Sequence, residues 1–328
     1  MYAEYYNFTG MPFQLTPDNR FFFNSSGHSR AIAHLTYGLA QEEGFIVVTG
    51  EVGAGKTTLV ERLWSQLDRQ SYTVGRVVTT QVSGDDLLRL AVSSFGLPEG
   101  GHDKATLLRH FERLLHEHRA AGRRCLLLVD EVQTLGVPAL EELRMLSNIT
   151  GDGRALLQTI LLGQPQFRRT LASPELDQLR QRVLASYHLG PMSELETRAY
   201  IQHRLKTVGW GGNPSWDEPA FAAIYRHTAG VPRRINRLCS RVLLYGALEE
   251  LSAITEPVVE ETAAELEDDL GGGLPPAPPG REPGSYGASS PRHDIAARVQ
   301  SLESAVQRQE RVFQRLLDFI GAYLDPRR

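Results

Sequence analysis

Gly50-Glu51-Val52-Gly53-Ala54-Gly55-Lys56-Thr57 has the spacing G-x-x-x-x-G-K-T, and its flanks give that spacing meaning. The preceding run, Gly44-Phe45-Ile46-Val47-Val48-Thr49, reads as a short β-branched strand; the following Thr58-Leu59-Val60-Glu61-Arg62-Leu63-Trp64 reads as helical. Between a strand and a helix, glycines let the backbone curl until its N–H groups point inward at an anion. The helix adds the positive end of its dipole. Such a cradle takes phosphate. Lys56 is placed to reach β- and γ-phosphates, and the Thr57 hydroxyl to meet Mg²⁺. Gly50, Glu51, Val52, Gly53, Ala54, Gly55, Lys56, Thr57 and Thr58 are therefore expected to line a nucleoside triphosphate site that also holds Mg²⁺.

Four further stretches turn binding into chemistry. Cys125-Leu126-Leu127-Leu128-Val129-Asp130-Glu131 is an apolar run ending in two acids, the pattern of a central parallel strand covered on both faces. Asp130 at its tip is expected to hold the metal through water, so that Thr57 and Asp130 form the metal set. Glu131 is expected to orient and deprotonate the attacking water. The strand Leu156–Gly163 is expected to lie between the other two and to end at Gln164, whose side chain then faces the γ-phosphate. Leu179-Arg180-Gln181-Arg182-Val183 closes a helix that starts near Ser173-Pro174. An arginine there, Arg182 ahead of Arg180, can reach a neighbouring subunit's γ-phosphate and stabilise charge in trans. Gly230-Val231-Pro232-Arg233 opens another helix, and Arg233 can swing onto the γ-phosphate when two domains close. Arg234, Arg237 and Arg241 share a different face, which can be solvated, paired with acids such as Glu249, or set against DNA.

The chain has 328 residues, enough for one to three domains, and a net charge of −4, which gives no global basic field for nucleic acid. Its two cysteines, Cys125 and Cys239, lie in apolar patterns and read as buried thiols. The N-terminus is aromatic and polar, unlike a signal peptide, and the apolar runs are far short of the ~20 residues of a membrane span. A soluble, cytoplasmic protein is expected. Residues 1–27 read as an aromatic, loop-like segment. Residues 28–191 alternate strand and helix, which predicts a parallel sheet between helical layers. Strands are expected to stop near Pro191. Residues 192–268 read as an all-helical lid, with helices at Ser193–Thr207, Glu218–Thr228, Pro232–Glu249 and Glu256–Leu266. Residues 269–293 are a Gly/Pro/Ser linker. In 294–328 apolar residues such as Val299, Leu302, Val306, Phe313, Leu316 and Ile320 follow 4-3 spacing, with Gln309 in the seam. That is the pattern of a coiled-coil helix.

Taken together, the phosphate loop, the Asp-Glu strand, Gln164, Leu-Arg-Gln-Arg and the Gly-Val-Pro-Arg lid resemble an AAA+ ATPase. The α/β fold implied is a P-loop NTPase core with a C-terminal helical lid. More narrowly, the chain resembles the ExeA, or general secretion pathway A, branch. The stretches that carry this are Pro12-Phe13-Gln14-Leu15-Thr16-Pro17-Asp18, Glu142-Leu143-Arg144-Met145-Leu146-Ser147-Asn148 and Tyr187-His188-Leu189-Gly190-Pro191. Within that branch it looks most like the ATPases encoded with exosortase/PEP-CTERM exopolysaccharide systems. The resemblance covers about residues 1–268. It implies that Gln164 is sensor 1, Arg182 the arginine finger and Arg233 sensor 2, and that Pro12 and Phe13 belong to a segment lying against the adenine. It also implies that the nucleotide is ATP, that copies form an ATP-dependent ring or filament, and that an export or polysaccharide-synthesis partner of the C-terminal helix recruits the protein to the inner membrane. Two differences stand out. Secretion-type relatives carry a membrane span and a peptidoglycan-binding region where this chain has a linker and a heptad helix. The acid strand continues as Val132-Gln133-Thr134-Leu135 where Ala-Gln-Asn-Leu is commoner, a change expected to be harmless. Two other functions fit the same features: a DNA-associated regulator of the transposition-helper type, and a slowly hydrolysing nucleotide-gated scaffold.

Overall fold

In the computed structural model, residues 2–16, 18–68, 70–78, 82–97 and 103–271 are described. The linker from 272 onward and the heptad segment 294–328 lie outside the described residues.

The chain opens with α1 (Tyr2–Tyr5) and α2 (Ser26–Ala40), then β1 (Phe45–Gly50), α3 (Lys56–Gln66), β2 (Tyr72–Val78), α4 (Gly84–Ser94), α5 (Lys104–Ala120) and β3 (Arg124–Asp130). It continues through α6 (Val137–Leu146), a hairpin of β4 (Thr150–Gly151) and β5 (Arg154–Ala155), β6 (Leu157–Gly163), α7 (Gln166–Leu171), α8 (Asp177–Arg180) and β7 (Val183–Leu189). Five strands form one parallel sheet in the order β2-β3-β6-β1-β7. As expected, β6 lies between β1 and β3.

Strand alternation builds two cores. Along β1, Phe45 and Val47 join the layer of α4, α5 and α6, while Ile46 and Val48 join the layer of α2 and α3. Leu127 and Val129 against Leu126 and Leu128 do the same along β3. Both faces are covered, which is why these strands read as unbroken apolar runs. Both cysteines are free and buried; burial pushes the Cys125 thiol up to about 12 and raises Cys239 as well.

The lid follows: α9 (Glu194–Thr207), β8 (Ser215–Trp216), α10 (Glu218–Thr228), α11 (Pro232–Leu248), β9 (Ala253–Ile254) and α12 (Glu256–Gly271). Its third core also takes in Tyr2, Tyr6, Phe8, Phe13 and Phe21. The N-terminal segment is thus part of the lid's packing and not a loose loop. Tyr6 donates to the Leu251 carbonyl at 3.1 Å, and only a glycine at 246 leaves room, since a Cβ there would fall 2.5 Å from the Tyr6 hydroxyl.

Four points differ from the sequence reading. It marks no strand at 183–189, which is the fifth strand of the sheet, an edge where only Ala185 and Leu189 are buried. The pattern opened by Pro138 predicts a helix over 138–149, but the helix ends at Leu146; beyond it Asp152 and Gly153, both at positive φ, turn the chain through the β4–β5 hairpin. The lid is not purely helical, since β8 and β9 pair in parallel. Helix α12 runs to Gly271, into the stretch assigned to the linker.

Candidate functional site

The sheet order puts a topological switch beside β1, and the crevice at the C-terminal strand ends is where ligands of such sheets bind. Registers of Val48 with Leu162 and of Val129 with Leu161 bring the tips of β1, β6 and β3 to one place.

After β1 the loop turns through Gly53 (φ +80°) and Gly55 (φ +94°), conformations that side chains rarely adopt. Gly55 is the N-cap of α3 and supplies no side-chain cap, so the first-turn N–H groups at Lys56, Thr57 and Thr58 are left for an anion. Lys56 is 7% exposed and donates to the carbonyls of Gly50 at 2.8 Å and Glu51 at 3.1 Å. Burial lowers its pKa, against the opposing pull of the carboxylates of Glu131, Asp130 and Glu51.

Asp130 is also buried. Its Oδ2 accepts from the Thr57 hydroxyl at 3.0 Å, its Oδ1 from the Glu131 N–H at 2.9 Å, and Arg76 of β2 stands 3.9 Å away. Thr57 and Asp130 thus offer two adjoining oxygen groups that would suit Mg²⁺, which would neutralise phosphate charge there. Glu131 sits at φ +53°, turning the chain sharply off the strand into a short 3₁₀ turn, Val132–Thr134. Its Oε2 accepts from Gln133 Nε2 at 2.5 Å and from Gln164 Nε2 at 3.3 Å. The structure therefore brings together Lys56, Thr57, Asp130, Glu131 and Gln164.

Arg233 arrives from the lid. Its N–H donates to the Gly53 carbonyl at 3.2 Å, and a Cβ on Gly53 would fall 2.2 Å from Arg233 Cβ. The first turn of α11 rests directly on the phosphate loop, and the Arg233 side chain is exposed at that junction.

Arg182 lies elsewhere. Its carbonyl accepts from the Phe45 N–H at 2.9 Å, so it stands at the start of β1, at the far end of the sheet from the phosphate loop. The strand's six residues separate the two ends by about 20 Å at roughly 3.3 Å per residue, beyond the reach of one side chain. Its guanidinium donates to the Ser147 hydroxyl at 3.0 Å. Arg180 pairs with Asp177 at 2.6 Å and donates to the Ala172 carbonyl.

Pro12 and Phe13 are held by the lid. The buried Arg204 donates to the Pro12 carbonyl at 2.5 Å and to the Tyr200 hydroxyl at 2.6 Å, and its guanidinium lies 4.6 Å over the Phe21 ring. The Phe13 ring is 2% exposed within the lid core, so it packs and does not present an open face to a base.

Three residues at this end of the sheet were not singled out as site residues. Gln133 and Arg76 touch the acids as described. His28 bonds Ser25 Oγ through Nδ1 at 2.7 Å and sets its Nε2 3.0 Å from where a Cβ on Gly55 would be. Burial pushes the His28 pKa down to about 4, against the pull of Glu196, so its ring is neutral near pH 7.

The fold and this loop define a P-loop AAA-type domain. A family model described as AAA domain matches residues 39–171. General secretion pathway protein A of Aeromonas hydrophila is 37% identical over 248 residues, covering 74% of this chain, while the chain spans 44% of that relative's length. Among solved structures, Cdc6p of Pyrobaculum aerophilum aligns at 15% identity with a TM-score of 0.60, over 80% of this chain and 74% of that one. The Aeropyrum pernix ORC2 protein in ADPNP–ADP complexes aligns at 17% identity and TM-score 0.57, over 74% and 67%. These structural likenesses establish the fold.

Proposed function

We propose that this protein binds ATP with Mg²⁺ and hydrolyses it, and that copies assemble into a ring or filament in which Arg182 of one chain serves the site of the next. One observation carries the reading: Lys56, Thr57, Asp130, Glu131 and Gln164 meet at the strand ends, with Arg233 of the lid resting on the same loop. The phosphates take the uncapped first turn of α3. Lys56 exchanges its bonds to the Gly50 and Glu51 carbonyls for phosphate oxygens. Glu131 accepts a proton from the water that attacks the γ-phosphorus, the bond to ADP breaks, and ADP and phosphate leave. Gln164 holds that water, and Arg233 offsets charge on the transferring group. When bound at Thr57 and Asp130, Mg²⁺ neutralises phosphate charge.

The likeness to a general secretion pathway protein supports an oligomeric motor or switch in envelope export or protein sorting, of the kind found with exosortase/PEP-CTERM systems. Among the described residues no helix is long and apolar enough to cross a membrane. On this reading the protein works in the cytoplasm and the segment 294–328 recruits it to an inner-membrane partner. A second reading, a DNA-associated regulator, is kept by Arg234 and Arg237, both exposed on α11; Arg241 is paired with Asp269.

Phosphate release from ATP, followed against protein concentration with and without Mg²⁺, tests the proposal. Turnover that needs Mg²⁺ and rises faster than linearly with protein is expected; no turnover at concentrations where assembly is verified contradicts it. Duplex DNA at low salt should leave the rate unchanged, and a roughly tenfold, salt-sensitive stimulation would favour the second reading.

A further inference from the structure

We infer that Gln133 is a positioning residue for hydrolysis: it fixes the Glu131 carboxylate by bridging it to the backbone of the Gln164 strand. The inference rests on the proposed role of Glu131 as base. Gln133 Oε1 accepts from the Gln164 N–H at 2.9 Å while Nε2 donates to Glu131 Oε2 at 2.5 Å. A backbone N–H can only donate, so the amide oxygen must face Gln164 and the amide nitrogen must face Glu131. The orientation is dictated, not chosen by the carboxylate.

The surroundings leave Gln133 little freedom. It lies in the 3₁₀ turn that the left-handed Glu131 opens, and the Thr134 N–H closes that turn on the Glu131 carbonyl at 2.9 Å. Across from it, a Cβ on Gly163 would stand 3.2 Å from Gln133 Oε1 and 2.7 Å from Val132. Glycine at the end of β6 is what lets the turn come this close. A glutamate leaving a strand at positive φ has several side-chain rotamers open to it. Two amides, from Gln133 and Gln164, converge on a single carboxylate oxygen and select one arrangement. The other oxygen has neither of these amides on it. Because Gln164 reaches Glu131 with its own amide and Gln133 with its backbone, the two strand tips are tied into one unit. A displacement of the catalytic carboxylate of about 1 Å is enough to lower a rate on the order of 100-fold.

Two variants test this. Gln133→Ala removes the bridge. Gln133→Glu keeps its size and its bond to the Gln164 N–H but sets a carboxylate against a carboxylate. Each is compared with wild type for ATP affinity and for single-turnover rate, and each is also placed in a Glu131→Gln background, with thermal unfolding recorded. The rate should fall roughly 10- to 100-fold in both variants with affinity held within about twofold. In the Glu131→Gln background the Gln133 substitutions should remove nothing further, because the group they position is already gone. Rates within about twofold of wild type for both folded variants overturn the inference. So does a parallel loss of affinity and rate, or a full additional loss in the Glu131→Gln background. If Glu131→Gln alone hydrolyses like wild type, it is the assignment of the base that fails, a result distinct from failure at Gln133.

Discussion

At the C-terminal ends of β1, β3 and β6, polar groups from three strands and a loop hydrogen-bond to one another. At the N-terminal end of the same sheet Arg182 donates to Ser147, about 20 Å away by the length of β1. One end gathers the candidate site, whose cation, Lys56, rests on loop carbonyls; the other holds an arginine that cannot reach that site in its own chain. On the proposed reading a single copy therefore carries two halves of different sites. The difference also separates two kinds of substitution, those that empty a chain's own site and those that starve its neighbour's.

A large effect is therefore expected in trans. Arg182→Ala should lower turnover on the order of 10³-fold in assembled protein, the scale of an arginine supplied across an interface. Mixing it with Lys56→Ala should restore activity, since each chain provides what the other lacks. No rescue at any ratio, with assembly confirmed, breaks the comparison and returns Arg182 to a structural role beside Ser147.

Gly53→Ala tests the other end. The substitution forces a side chain into φ +80° and onto Arg233 Cβ, so the first turn of α11 must back away from the loop. A strained residue of this kind costs about 1–3 kcal/mol, and ATP affinity should fall roughly tenfold or more in a binding titration. Unchanged affinity would mean that the lid does not need its contact with the loop.

How far this was legible in the sequence follows from where each interaction lies in the chain. The phosphate loop is contiguous, and so are the strand and helix that give it meaning. Asp130 and Glu131 end an apolar run. Gln133 could not be read, because its partner Gln164 is brought to it by the pairing of β3 with β6. Strand β7 has no clear signature in the sequence because an edge buries so little: Ala185 and Leu189 are covered while Leu184, Ser186 and His188 are exposed. The N-terminal rings looked like loop punctuation until the lid supplied their core.

A smaller effect is expected where the lid grips that segment. Arg204→Met leaves the Pro12 carbonyl and the Tyr200 hydroxyl without their donor and should lower stability by about 1–3 kcal/mol, read by thermal unfolding. An unchanged midpoint would show that the rings of 2–21 hold the segment unaided.

The smallest effect concerns the tie between core and lid. Glu196 caps α9 and also accepts from the Ser26 N–H of α2 at 2.8 Å. Burial works to raise its pKa, but hydrogen bonds from the Ser193 and Ser26 backbones outweigh that and hold it at about 2. A carboxylate held this low contributes its stability above the ordinary glutamate range and loses it as pH falls toward about 2. Melting midpoints of wild type and Glu196→Gln should differ near neutral pH and converge as pH falls into that window. A difference that persists there would mean the tie does not depend on the charge.

The most direct measurement sets Glu131→Gln beside Lys56→Ala for ATP affinity and turnover. Glu131→Gln keeps the side chain's shape while removing the base, so affinity should stay near wild type while turnover falls by about 10²–10⁴. Lys56→Ala should lose both, because its ammonium meets the phosphates before any chemistry. If Glu131→Gln instead hydrolyses ATP at the wild-type rate, Glu131 is not the base, and the acids at the end of β3 have some other task.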